Sequence, residues 1–374
     1  MMNAVQKLKV LGESAKYDLC NYVDPNLETY ASGKMLGVYN STSPNGRCMP
    51  LFKVLMTNKC SNDCKYCVNR SGRKCERFEY TPQELSSLFL NYFNKKYVEG
   101  LFLSSGISGD IDPSMEKEVE VASILRDCGY DGYIHIKILP GTSYDLIKRA
   151  MSLADRVSIN IEAATPDGFE ELTSTKNYEI DILRRMNWIK KLSKKDPALA
   201  PSGQTTQFIV GAVDESDEEI LNRTKQLYDK FEIKRSYFSA FSPLEGTPLE
   251  NHETPHPKRA PRLYQADFLL NSYGFNLDEL VFDENGNIET EIDPKYSFAL
   301  NNMDLFPTEI NEASFEELIR VPGIGKISAK RIITLRKRGK RFEKLEELQE
   351  LGVAVKRAEP FVKLNKSYQA TLGF

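Results

Sequence analysis

Three cysteines, Cys60, Cys64 and Cys67, stand at the spacing C-x3-C-x2-C in the stretch Thr57-Asn58-Lys59-Cys60-Ser61-Asn62-Asp63-Cys64-Lys65-Tyr66-Cys67-Val68-Asn69. The stretch directly follows an apolar, strand-like run, Leu51-Phe52-Lys53-Val54-Leu55-Met56. Thiolates bind soft metals, and three on one short loop suit three irons of an iron–sulfur cube. A four-iron cube then keeps one iron open to a small molecule. A structural zinc or three free thiols are the alternatives. Closed zinc sites take four ligands, however, and no fourth Cys or His follows at finger spacing. The nearest later cysteine is Cys75, and the three histidines (His135, His252, His256) are distant.

Downstream of the loop, strand-like and helix-like segments alternate. Thr81-Pro82-Gln83-Glu84 reads as a capping box with Pro at the first helical position, opening a helix to about Tyr97. A short strand at Gly100-Leu101-Phe102-Leu103 runs into Ser104-Ser105-Gly106, and a helix is expected over about Ser114 to Cys128. Strict alternation marks strands at 133–138 and 157–162. A helix over about Asp181 to Leu192 precedes a strand from Thr205 to Val213. Ser216-x-x-Glu219 caps the next helix, and Arg235 to Phe241 is a sixth strand. Six strands separated by helices imply an α/β fold with a parallel sheet and right-handed crossovers. In a barrel, alternate residues face helices and lumen. His135, Lys137, Ser158, Asn160 and Glu162 would then share a polar lumen, which a purely structural parallel strand would not have.

The cysteine spacing, with an aromatic just before the third cysteine, resembles the radical S-adenosylmethionine (radical SAM) superfamily. The resemblance implies a partial (β/α)6 barrel over 51–248. It implies that Cys60, Cys64 and Cys67 hold a 4Fe-4S cluster whose open iron binds the methionine part of S-adenosylmethionine (SAM). Tyr66 would lie near the adenine. The family's Gly-Gly-Glu loop, which touches the SAM amino group, is matched by Ser104-Ser105-Gly106; small residues are kept and the acid is lost. Asn160 and Glu162 match the ribose contacts. Gln207-x-Ile209-x-Gly211-x-x-Asp214 matches a strand pattern that places Ile209 and Gly211 by the adenine, and Lys137 joins the same cofactor set. The implied chemistry is reductive cleavage of SAM to methionine and a 5′-deoxyadenosyl radical. Flavodoxin or ferredoxin would donate the electron.

Residues 1–50 read as an extension packing on the barrel, with a helix from Val5 to Lys16 and then a polar stretch to Arg47. Cys20, Cys48, Cys75 and Cys128 are candidates for a second iron–sulfur cluster or are ordinary thiols. Residues 249–310 read as a linker and barrel extension. Near the end, Ser314-Phe315-Glu316-Glu317 is a capping box, and Val321-Pro322-Gly323-Ile324-Gly325-Lys326 opens a basic helix. This resembles a helix-hairpin-helix motif. Gly323 and Gly325 permit a tight turn whose free amides cradle a phosphate, with Lys326, Lys330 and Arg331 adding charge. Residues 311–366 carry fourteen Lys and Arg against eight Asp and Glu, although the chain's net charge is −3. A basic module on an acidic body fits nucleic-acid binding through the phosphate backbone. A second, degenerate hairpin follows between Leu345 and Val362.

The pairing of these two modules, with Ala15-Lys16-Tyr17-Asp18, Gly46-Arg47-Cys48 and Leu263-Tyr264-Gln265-Ala266-Asp267, resembles a family of DNA modification or repair radical SAM proteins linked to uracil-DNA-glycosylase-like partners. That implies DNA modification or repair; an RNA-modifying enzyme or a non-catalytic protein with a structural cluster are the alternatives. The seven cysteines without a disulfide framework, and the lack of a membrane-length apolar run, lead us to expect a cytoplasmic protein with no membrane partner.

Overall fold

The computed structural model describes residues 4–18, 35–42 and 48–364. The described strands include a seven-stranded sheet in sequential order: β1 (Val38–Thr42), β2 (Cys48–Leu55), β3 (Gly100–Ser104), β4 (Tyr133–Lys137), β5 (Arg156–Ser158), β6 (Gln204–Val210) and β7 (Arg235–Ala240). The last six are parallel, as the alternation requires. Between them run α2 (Pro82–Asn94), α3 (Ile111–Asp127), α4 (Tyr144–Leu153), α5 (Pro166–Leu172), α6 (Arg184–Lys195) and α7 (Asp217–Phe231). The sheet is a curled half-barrel, open because β1 and β7 end it without pairing to each other.

The expected six strands are present. The seventh, β1, pairs antiparallel to β2 with Val38 opposite Phe52, inside the stretch read as merely polar. Its sequence, Val-Tyr-Asn-Ser-Thr, hides the strand because one edge-strand face needs little apolar content. β5 is also shorter than the pattern suggested. It ends at Ser158, and the chain leaves the ladder so that Glu162 adopts φ 66° while bridging to Phe208.

The three capping boxes all form. Thr81 and Glu84 are reciprocal at 3.1 and 2.9 Å, Ser216 and Glu219 at 3.2 and 2.9 Å, and Ser314 and Glu317 at 3.1 and 2.7 Å. α1 (Ala4–Ser14) lays Leu8 and Leu11 against the sheet with no exposed surface. Each such leucine contributes roughly 1.5–3 kcal/mol.

The chain forms two compact units: Met1–Glu215 with Arg223–Ala260, and Ser216–Asn222 with Pro261–Phe374. Residues 261–310 were read as an extension of the barrel, but they fall in the second unit. Packing and polar contacts explain why: Tyr296 and Phe306 stack edge-on against the buried Phe361 at 5.2 and 5.3 Å, Glu279 takes Arg320 at 2.9 Å, Asp293 pairs with Arg357, and Lys295 donates to the Ile324 carbonyl at 2.6 Å. This unit contains α8 (Arg259–Ser272) from Pro261 onward, α9 (Pro294–Asn301), α10 (Phe315–Arg320), α11 (Lys326–Lys337), α12 (Glu346–Gln349) and α13 (Val355–Ala358). Asn311 and Phe342 exchange two amide hydrogen bonds of 2.9 and 2.8 Å across the hairpin pair.

Candidate functional site

The cysteine loop is a self-closing turn. Arg77 donates to the carbonyls of Asn69 at 2.8 Å, Arg70 at 2.7 Å and Arg73 at 3.0 Å, and also to that of Asn58. One guanidinium thereby gathers four carbonyls of the loop. Asp63 pins the loop to the segment after α5. It accepts from Thr173 Oγ1 at 2.6 Å, Ser174 Oγ at 2.5 Å, Thr175 Oγ1 at 2.9 Å and the Ser174 amide at 3.1 Å. Burial opposes its ionisation, yet these donors hold the carboxyl well below the usual carboxylate range.

That pin delivers a residue the sequence did not flag, Lys176. Its ammonium is buried within 3.8 Å of Glu162 Oε1 and faces the Cys64 sulfur. Burial works against its charge, but Cys64 and Glu162 hold it protonated, with its pKa raised. Burial likewise pushes the Cys64 thiol up, and it pushes Cys67 to about 12, with Cys64 and Cys60 adding to the effect. Burial keeps the Cys64 and Cys67 thiols from ionising until positive charge arrives, and Cys60 stands close enough to add to the effect on both. This donor set suits a soft cationic cluster. Among the described residues no three His, Cys, Asp or Glu side chains converge on a single-ion site. A cube asks each thiolate for its own iron instead.

Beside the loop lies a cavity of about 140 Å³. Of the residues expected to contact SAM, it brings together Tyr66, Ser104, Ser105, Lys137, Asn160 and Ile209, along with Cys67. Cys60, Cys64, Gly106, Glu162 and Gly211 do not line it. Glu162 lies just behind, accepting from Asn160 Nδ2 at 3.4 Å and from the Tyr66 hydroxyl. Gly211 is turned under Pro255. Asn69, also missed, lines the cavity with its side-chain oxygen buried and unpartnered, an acceptor available to a donor on a bound molecule. Tyr17 and Asp18 of the N-terminal segment complete the wall.

Gly106 explains its own place in Ser104-Ser105-Gly106. A Cβ there would lie 2.3 Å from the Lys59 carbonyl oxygen, because the turn after β3 packs directly on the cysteine loop, with Gly106 N–H to Thr57 O at 2.7 Å. Gly106→Ala is therefore expected to displace Lys59 and Cys60. At least tenfold less iron should be retained after desalting of the reconstituted protein, with secondary structure by circular dichroism unchanged. Full iron retention would mean that the loop tolerates the shift.

Elsewhere the lumen is polar as expected. His135 Nε2 lies 2.9 Å from Ser158 Oγ, with its ring 4.4 Å from that of Phe102. Cys48 and Cys128 are exposed and lie at the ends of different elements, Cys75 is half-buried, and Cys20 falls outside the described residues.

In the second unit, Gly325 caps α11 and Lys326 is its first residue. Gly323 has φ 85°, and a Cβ would sit 2.6 Å from the Ala354 carbonyl, so the two hairpins touch through this turn. Lys330 is exposed, but Arg331 donates to the Leu351 carbonyl at 3.1 Å and so also braces the second hairpin. In that hairpin Gly352, Ala354 and Val355 stand where the first has Gly323, Gly325 and Lys326, and α13 has only four residues.

Residues 54–227 match the radical SAM superfamily and residues 308–353 the helix-hairpin-helix motif. The chain is 24% identical over 221 residues to a threonylcarbamoyladenosine tRNA methylthiotransferase, MtaB, of Thermotoga maritima, covering 56% of this chain and 48% of that one. It is 23% identical over 214 residues to a tRNA-2-methylthio-N(6)-dimethylallyladenosine synthase of Clostridium botulinum, covering 56% and 46%. The chain thus spans about half the length of these curated relatives. Among solved structures, methylornithine synthase aligns at 15% identity with a TM-score of 0.47, over 58% of this chain and 60% of that one. The chain carries a radical SAM enzyme domain, whose cofactors are a 4Fe-4S cluster and SAM, together with a helix-hairpin-helix motif.

Proposed function

We propose that this protein is a radical SAM enzyme acting on nucleic acid, with DNA modification or repair as its role. Cys60, Cys64 and Cys67 would be the cluster ligands, with SAM in the adjoining cavity. The observation that carries this reading is the cavity itself. It is lined both by Tyr66, Cys67 and Asn69 of the cysteine loop and by the lumen residues Lys137, Asn160 and Ile209. When bound, the cofactors supply a reductively generated 5′-deoxyadenosyl radical. The chain's own residues do the rest. Tyr66, Asn69 and Asn160 offer one aromatic face and two amides for orientation, and Lys176 and Glu162 place opposite charges behind the loop. A target base would have to be single-stranded or flipped to enter.

The hairpin supports the nucleic-acid half. Its turn amides and Lys326 suit a phosphate, and such contacts hold the backbone without reading sequence. Phosphate contacts do not name the sugar. An RNA substrate is a second reading, favoured by the tRNA-modifying relatives. A uracil-DNA-glycosylase-like partner belongs to the DNA reading and is testable by co-purification.

The test is anaerobic reconstitution, reduction with dithionite and quantification of 5′-deoxyadenosine, followed by nucleoside mass spectrometry of DNA and RNA from cells with and without the gene. We expect at least tenfold more 5′-deoxyadenosine than without reductant, and a nucleoside change confined to DNA. An intact cluster that yields none would make the cluster structural. A change confined to RNA would replace the DNA role.

A further inference from the structure

The N-terminal segment enters the barrel as a ligand would. After α1 the chain turns at Ala15–Tyr17 and places Asp18 inside the lumen. The contacts come from four strands of the sheet. Ser104 Oγ on β3 donates to Asp18 Oδ2 at 2.7 Å, and Lys137 Nζ on β4 pairs with Oδ1. Lys53 on β2 donates to the Asp18 carbonyl, and Gln207 on β6 donates to that of Tyr17 at 3.0 Å. Burial opposes ionisation of Asp18, but Lys137 and Lys53, with the hydrogen bonds, hold it ionised. Glu118, buried behind the wall near Lys137, is kept protonated by burial. Glu162, also facing Lys137, is engaged by Lys176.

A second observation concerns what lies past the carboxylate. A small cavity of about 10 Å³ adjoins it, lined among others by Lys137, Ser158, Asn160, Thr205 and Gln207. Thr205 is fully buried and its hydroxyl has no partner. Ser158, Asn160 and Gln207 are engaged by His135, Glu162 and the Tyr17 carbonyl, so the Thr205 hydroxyl, beside the Lys137 ammonium that Asp18 occupies, is the donor left over at this spot. Orphaned buried hydroxyls are rare and ask for an occupant. A water would fit such a space, but a water needs neither the lysine nor the carboxylate beside it.

We infer that the lumen around Lys137, Ser104 and Thr205 is a binding site for an oxyanion of the substrate, a carboxylate or a phosphate, and that Asp18 is its built-in placeholder. The entering anion displaces the Asp18 side chain and takes over Lys137 and Ser104. Thr205 supplies the additional donor. This rests on the reading of the lumen as the substrate chamber.

The test measures small anions on the reconstituted full chain by calorimetry, without nucleic acid or reductant, so its failure is separate from failure of the enzymatic reading. The probes are sodium acetate and sodium phosphate, against chloride at equal ionic strength. Asp18→Ala should bind one of the two at least tenfold more tightly than wild type, and Lys137→Met in that background should abolish the gain. Acetate preference names a carboxylate and phosphate preference a phosphate. Asp18→Asn, which keeps the shape without the charge, is read by the same criterion if Asp18→Ala does not retain its cluster. The inference is overturned if neither anion gains tenfold, if the gain survives Lys137→Met, or if the variant instead weakens SAM binding tenfold and gains no anion.

Discussion

Replacing Cys67 with Ala is expected to lower iron from about four per chain to below about one, and SAM cleavage by at least 100-fold. The same holds for Cys60→Ala and Cys64→Ala. The effect is large because each thiolate fills its own iron, and the nearest cationic or polar neighbours, Lys176 and Asn69, are not soft ligands. Iron analysis, the cluster's visible absorption and 5′-deoxyadenosine yield check the outcome. Cys48→Ser, Cys75→Ser and Cys128→Ser are the matched controls and should each leave iron at about four per chain. If wild type holds about eight irons and one of these controls halves that number, an auxiliary cluster exists and a sulfur-transfer chemistry becomes the better reading. Retention of a full cluster by Cys67→Ala would remove it from the ligand set.

What the sequence revealed, and what it concealed, follow from different physics. Strands buried on one face and facing a lumen on the other alternate visibly, so β4 and the start of β5 were legible, and the capping boxes fixed helix starts to within a residue at Thr81 and Ser314. The cysteine spacing marked the loop because few chemistries use three thiols so close together. Lys176 and Asn69 were not legible. Lys176 reaches the loop through tertiary contacts such as the Asp63 clamp, which joins residues more than a hundred positions apart. No local pattern encodes such a contact. Asp18 was noticed only as part of a motif, and its place in the lumen depends on tertiary packing. The grouping of 261–310 with the hairpins was hidden for the same reason: it rests on contacts between residues far apart in sequence, such as Tyr296 and Phe306 with Phe361 and Glu279 with Arg320, rather than on a periodic apolar face.

Charge reversal at Lys326 and Lys330 together is expected to weaken binding to DNA by roughly 10- to 100-fold and to reduce the slope of log affinity against log salt by about two, since each lysine lost removes about one released counterion. The weakening should be nearly independent of base sequence, because these residues address phosphates. Arg331 is left unaltered in this experiment, since its bond to the Leu351 carbonyl makes it part of the hairpin's own structure. Fluorescence anisotropy on single- and double-stranded DNA and on RNA, at two salt concentrations, reads the effect. Iron content and uncoupled SAM cleavage should be unchanged, because the cluster loop belongs to the other unit. Binding as tight as wild type would make the hairpin a docking or purely structural element, and the radical chemistry would stand without it.

Glu162 combines a buried carboxylate with a left-handed backbone, φ 66°, at a position where the sheet has already ended. A non-glycine residue held there costs on the order of 1–3 kcal/mol, and the contacts it gains, Lys176 and Tyr66, all belong to the cavity side of the barrel. Glycine would suit the backbone better and would lose those contacts. Backbone conformation and ion pairing therefore pull this position in opposite directions. Glu162→Gly would relieve that strain but leave the buried Lys176 ammonium without its carboxylate, a loss of roughly 3–5 kcal/mol that outweighs it, so position 162 is one that selection for thermostability alone would leave untouched.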